Sequence, residues 1–257
     1  MTTAATRPAM PPIVDRSAWQ AARAELLVRE KAHTREGDAI AAARRRLPMI
    51  EVDAATPLIG VNGAVTLLDA FEGRTQLYAS YHMWHTGQSA ADQCEGCTFF
   101  SGHVLELGYL HSRDVTFAVF CEGPFAESDR YRAFMGWEMP WYSVPEGSLE
   151  RMAPGGHFGM KACYLRDGDR VFETYRTTGR GVETMGNSYQ MLDMTVFGRQ
   201  ESWEDSPEGW PRRFDTSRGG NAFRLDGRPI SQWSRIAAGR SDDLGTSGPD
   251  RTGHHGH

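Results

Sequence analysis

Apolar and polar positions change rhythm several times along the chain, and each change marks a predicted element. Residues 1–14 are proline-rich, carry no period and are expected to form a disordered tail. From Asp15 or Ser17 the spacing turns helical: Trp19, Ala22, Leu26 and Leu27 fall on one stripe among Ala, Glu and Arg residues that favour helix. A second helical stretch is predicted from about Asp38 to Arg46, stopped by Pro48. Residues 15–48 therefore read as an N-terminal helical arm, packing against this domain or, in a homodimer, against a second copy.

From Ile50 short apolar segments alternate with helical ones, the pattern of an α/β domain with parallel strands. Thr75–Tyr81 reads as a buried strand, followed by a helix that opens at Cys94-Glu95-Gly96-Cys97 and runs to about His111. Val115–Cys121 is a second buried strand, Glu127–Met135 a helix and Trp141–Val144 a short strand. Lys161–Leu165 and Arg170–Tyr175 flank Asp167-Gly168, a hairpin turn signal, and a helix is expected near Glu183–Leu192. This order places a parallel pair of strands beside an antiparallel pair. Residues 201–236, with Trp203, Pro207, Trp210 and Pro211, read as an irregular segment wrapping the domain of 49–200. Residues 237–257 read as a second disordered tail.

Composition narrows the function. A chain of 257 residues, 40% hydrophobic, can close one well-packed core. Its net charge of −5 supplies no field for a polyanion, and Arg44-Arg45-Arg46 reads as a solvated helix face, so no nucleic-acid partner is expected. No apolar run approaches the ~18–20 residues that span a bilayer, and the N-terminus lacks an apolar signal core. A cytoplasmic protein without a membrane partner is the expectation. In a reducing compartment a close cysteine pair points to catalysis, redox exchange or metal binding.

Cys94 and Cys97 stand three apart, at the start of a helix that follows a buried strand. Free backbone N–H groups and the partial positive charge of a helix N-terminus stabilise a thiolate. Cys94 then acts as the attacking thiol, and Cys97 resolves the mixed disulfide. Just upstream lies a second pair, His82 and His85. Two imidazoles and two thiolates make a tetrahedral donor set for zinc, and suit copper or iron, so His82, His85, Cys94 and Cys97 form a rival metal site. The histidines could equally shuttle protons for the thiols. Cys121 and Cys163 lie in apolar strands and read as core, His103 as a packed or surface residue. His254, His255 and His257 sit at the end of the chain and carry no functional claim. No phosphate-binding glycine loop, zinc-protease or serine-hydrolase pattern is present.

Several stretches also match a known pattern together. They are Tyr81-His82-Met83-Trp84-His85, Gln93-Cys94-Glu95-Gly96-Cys97-Thr98, Asp114–Val119, Tyr131–Ser143 and Phe172-Glu173-Thr174-Tyr175 with Thr178-Gly179-Arg180-Gly181. Leu192-Asp193-Met194-Thr195 and Glu204–Pro211 complete the set. The chain thereby resembles the bacterial thioredoxin-like domain-of-unknown-function 899 family over about residues 15–212. The resemblance implies a soluble bacterial protein with a thioredoxin-like three-layer α/β sandwich, a mixed central sheet flanked by helices. It also suggests a distant similarity to peroxiredoxins, and it supplies no activity. Two departures from ordinary thioredoxins stand out. Glu95-Gly96 replaces Gly-Pro between the cysteines, and Gly159 or Met160 stands where thioredoxins carry a cis-proline.

Three functions follow. The first is a thiol–disulfide oxidoreductase or thiol-dependent reductase acting on a small molecule or thiol substrate. The second is a metal-binding protein using the two histidines and two cysteines. The third is an adaptor or small-ligand carrier with a pocket among Trp84, Trp137, Trp141 and Tyr142.

Overall fold

The computed structural model describes residues 9–216 and 221–238. They fall into two compact units, one from residues 9–48 with 188–216 and 221–222, the other from 49–187 with 223–238. In the first unit, α1 (Arg16–Arg44) is one helix where the sequence suggested two. Gly37 costs a helix only about 1 kcal/mol relative to alanine, too little to break it. Its start is set by Asp15, whose carboxylate accepts the Ala18 N–H at 2.8 Å, and it ends short of Pro48. No helix among the described residues is long and apolar enough to cross a membrane.

The second unit is built on an eight-stranded sheet. Its strands are β1 (Ile50–Val52), β2 (Pro57–Gly60), β3 (Gly63–Thr66), β4 (Gln76–His82), β5 (Val115–Cys121), β6 (Trp141–Ser143), β7 (Lys161–Asp167) and β8 (Arg170–Thr177), in the order β1-β8-β7-β4-β5-β6-β2-β3. β4, β5 and β6 run parallel, while β7 pairs antiparallel with β4 and β8 with β7. β4 and β5 are apolar on both faces, as central strands must be. Leu77, Ala79, Tyr81, Ala118 and Phe120 face one core, where Phe71, Met152 and Met160 cover them. Phe117, Val119 and Cys121 face the other, under Trp84, Tyr131, Trp137 and Trp141. A mixed sheet with a core on each face and a parallel pair beside an antiparallel pair is the thioredoxin-like arrangement.

The helices are α2 (Glu95–Ser101), α3 (Gly108–His111), α4 (Phe125–Met135), α5 (Ser148–Met152) and α6 (Asn187–Asp193), the last crossing into the first unit. The helix that opens at the cysteines stops at Gly102 instead of continuing to His111. Gly102 bonds back to Thr98 and the chain leaves through reverse turns at His103 and Val104, because glycine favours helix least after proline. The predicted helix near Glu183–Leu192 divides into a 3₁₀ segment, Gly179–Met185, and α6. The hairpin is present, but its two-residue loop is Gly168-Asp169, one place on from the expected pair, with Gly168 at φ +60°. A positive φ at the first central position is what a type II′ turn demands of glycine.

The C-terminal part of 201–236 is not irregular. β9 (Arg224–Leu225) and β10 (Arg228–Pro229) pair around Asp226 and Gly227, both at positive φ, and α7 (Ile230–Ala237) follows. The tails 1–14 and 237–257 lie outside the described residues except for 9–14 and 237–238, as do His254, His255 and His257.

Candidate active site

The site forms where β4 ends and α2 begins. The loop between them is fixed by Gln93, fully buried, whose side-chain amide donates to the carbonyls of His85 (2.9 Å) and Gln88 (3.1 Å). Its side-chain oxygen accepts the His85 N–H at 3.0 Å. Trp84 anchors the other side, donating from Nε1 to Glu127 at 3.1 Å. A Cβ at Gly123 would fall inside the Trp84 indole, so this position admits glycine alone. Gly123→Ala is expected to destabilise the protein by about 3 kcal/mol, read as a shift of the urea midpoint at unchanged slope.

Cys94 is the N-cap of α2, and its Sγ accepts the Cys97 N–H at 3.3 Å. Cys97 Sγ accepts the Met83 N–H at 3.4 Å. Both cysteines are free thiols, buried but unequally, Cys94 at 8% exposure and Cys97 at 4%. The proton they share is the largest influence on each: it holds Cys97 below the ordinary thiol range and pushes Cys94 up. Burial opposes the first shift and adds to the second. Lys161 and the Met83 N–H also favour a Cys97 thiolate, while the Cys97 N–H favours a Cys94 thiolate. Sharing the proton in this way favours a first negative charge on the pair, and each sulfur has its own backbone donor.

Lys161 is a buried charge-bearing side chain coupled to the motif that the sequence did not single out. It opens β7 opposite Ser80, is 2% exposed, and donates from Nζ to Ser80 Oγ at 2.8 Å. Its Nζ also stands 5.8 Å from the centre of the Phe100 ring. No described carboxylate forms an ion pair with it. Burial pulls its pKa down and the charges of Cys97 and Cys94 pull it back. Burial disfavours the ammonium, and negative charge on the thiol pair would favour it. The one available signal was a lone charge at the head of an apolar strand, Lys161-Ala162-Cys163-Tyr164-Leu165.

Thr98 and Tyr131 back the motif from beneath. Thr98 Oγ1 donates to the Cys94 carbonyl at 2.8 Å and lies 2.6 Å from the Tyr131 hydroxyl. Tyr131 is buried, which raises its pKa and keeps it neutral.

The histidines point elsewhere. His82 is fully buried among Trp141, Tyr131 and Trp137, with ring centroids 5.2, 6.3 and 6.4 Å away, and neither ring nitrogen has a hydrogen-bond partner. Burial pushes its pKa down to about 3, with the charges of Lys161 and His85 adding. His85 holds the Asp92 carbonyl through Nδ1 at 2.6 Å. Among the described residues no group of three or more His, Cys, Asp or Glu side chains is disposed to hold a metal ion. In this arrangement His82, His85, Cys94 and Cys97 do not make a tetrahedral donor set. Cys121 is buried in the core, where desolvation raises its thiol to about 12. Cys163 is half-buried on β7, and His103 is half-buried with Nδ1 on the Phe99 carbonyl at 2.7 Å. Trp84, Trp137 and Trp141 are core residues of the face that carries the site.

A family model for a bacterial protein of unknown function, DUF899, matches residues 8–217. The chain belongs to that family. No curated protein matches the DUF899 chain. Among solved structures it is similar to a Chlorobium tepidum protein described as a thiol:disulfide interchange protein DsbE (TM-score 0.37, 16% identity, 56% of this chain and 98% of that one). It is also similar to the Xanthomonas campestris bacterioferritin comigratory protein, whose structures concern alkyl peroxide reduction (TM-score 0.36, 13% identity, 56% and 96%). A third is the pneumococcal exposed lipoprotein thioredoxin of Streptococcus pneumoniae (TM-score 0.31, 16% identity, 55% and 99%).

Proposed function

We propose that this DUF899 protein is a thiol–disulfide oxidoreductase in which Cys94 attacks and Cys97 resolves. The observation that carries the reading is buried Lys161, coupled electrostatically to two free thiols at a helix start, with no ion-paired carboxylate among the described residues. When the pair ionises, the Cys94 thiol donates to the Cys97 thiolate. Transfer of that proton across the hydrogen bond leaves the more exposed sulfur, Cys94, as nucleophile. Cys94 attacks one sulfur of a substrate disulfide, the S–S bond breaks, and the first substrate thiolate departs with the proton from Cys97. The Cys97 thiolate then attacks Cys94 Sγ and releases the second substrate thiolate. Two electrons pass to the substrate and the enzyme is left as the Cys94–Cys97 disulfide.

The test equilibrates untagged protein in glutathione buffers, traps free thiols and weighs the product. Wild type is expected to interconvert between dithiol and disulfide in one two-electron step, and Cys94→Ser and Cys97→Ser to lose it. A pair that stays reduced across physiological glutathione ratios sinks the reading. So does stoichiometric zinc, copper or iron after anaerobic reconstitution, since a metal would require His82 to leave its aromatic surroundings and turn to the sulfurs.

A further inference from the structure

Residues 223–232 touch nearly every position around the cysteine motif. The Phe223 ring lies over Gly96, where an added Cβ would sit 3.2 Å from it, and packs at 5.3 Å on Phe99 and 6.2 Å on Phe100. Arg224 forms an ion pair with Glu95, the residue beside Cys94, and donates to the Ala91 carbonyl at 2.9 Å. Gln232, fully buried on α7, donates to the Gln93 carbonyl at 3.2 Å. Gly96 serves this contact directly, because its missing side chain is the seat of Phe223.

The hairpin of the cover is lightly built, while Gln232 behind it is fully buried. The hairpin has strands of two residues, too short to be stable alone, and the Arg224–Glu95 pair is partly solvated. Leu225 and Ile230 remain exposed on it. Such elements open well below the free energy of global unfolding. Yet both thiols next to these contacts are less than a tenth exposed, so a disulfide in a folded partner cannot meet Cys94 in this arrangement.

We propose that Phe223–Gln232 is a gate that determines which substrates reach Cys94, with Phe223 and Arg224 as the residues that hold it shut. The inference rests on the reading of Cys94 as the attacking thiol. Closed, the gate screens the pair from folded-protein disulfides and from bulk thiols. Opening requires Phe223 to leave Gly96 and Arg224 to leave Glu95, and the hairpin and α7 move with them.

Alkylation of the full chain by iodoacetamide, followed site by site with peptide mapping, tests access without depending on redox cycling. Phe223→Ala and Arg224→Met are each expected to speed Cys94 alkylation at least tenfold, while Cys121 stays protected. Cys121 is the control for general loosening, being fully buried in the same core. Loss of the Arg224 charge alone would weaken a nearby thiolate and slow the reaction, so acceleration in that variant reads access. Unchanged Cys94 rates in both variants overturn the gate, as does a Cys121 rate rising in step. A pair that proves redox-silent with glutathione, but is unmasked in these variants, refutes the proposed activity and leaves the gate standing.

Discussion

Lys161→Met is expected to raise the pH at which the Cys94–Cys97 pair first ionises by about 1–3 units, the usual effect of losing an opposite charge at close range. Wherever the pair ionises above neutral pH, the thiolate fraction at pH 7 falls about tenfold for each unit. Absorbance at 240 nm against pH reads the thiolate directly, and the rate of alkylation follows it. The sign follows from the opposite charges of the two partners. An ammonium buried against the pair favours the anion, and the anion belongs to the reduced form. Removing the charge therefore makes the pair more reducing, by about 30 mV for each 1.4 kcal/mol. Methionine is close to lysine in length and carries no charge to bury, so the fold is expected to be no less stable in the variant. A loss of stability with an unmoved ionisation would make Lys161 a packing residue and remove its electrostatic role.

His82→Phe is expected to flatten the acid side of the stability curve. The His82 pKa is pushed down to about 3 in the fold, first by burial, against an ordinary value near 6.5 in the unfolded chain. Between those values the unfolded state binds a proton that the native state refuses, so stability rises with pH across this window. The contribution is fully present above about pH 6.5 and is lost as the pH falls toward 3. The slope is about 1.4 kcal/mol per pH unit and the total up to about 5 kcal/mol. Phenylalanine keeps a ring against Trp141, Tyr131 and Trp137 and leaves no nitrogen without a partner. Any cost of its extra volume is independent of pH, so the difference between the two urea-derived curves isolates the histidine. Parallel curves from pH 7 to pH 4 would show that His82 finds a proton or a partner in the native state.

Local patterns in the sequence told most about the centre of the fold. Val115–Cys121 was legible as β5 to the residue because a run apolar at successive positions fits a strand covered on both faces. The placement of Cys94 and Cys97 between a strand end and a helix start was legible too, because the apolar run before them and the helix formers after them bracket the motif. The short strands β1, β2 and β3 hold three or four residues each, too few for an alternation to declare itself. Lys161 was not legible as part of the site, since its meaning comes from Ser80 and Cys97 far away in sequence. Phe223, Arg224 and Gln232 were hidden for the same reason, within a stretch that read as irregular. The spacing of His82 and His85 did not say which way either ring turns. One ring lies in an aromatic core and the other binds a loop carbonyl.

Gln93 has a consequence for the kinetics of sulfur chemistry beside it. Its amide joins three points of the loop before Cys94, and its own carbonyl is held by Gln232. The backbone leading into the reactive sulfur is thus set at folding, before any substrate arrives. With the gate open, the bonds of Gln93 to His85 and Gln88 would still hold this loop, so interconversion of dithiol and disulfide would ask little further reorganisation of it. A small reorganisation energy makes the exchange quick in both directions. The direction of net flow would be left to whatever thiol or disulfide is in excess.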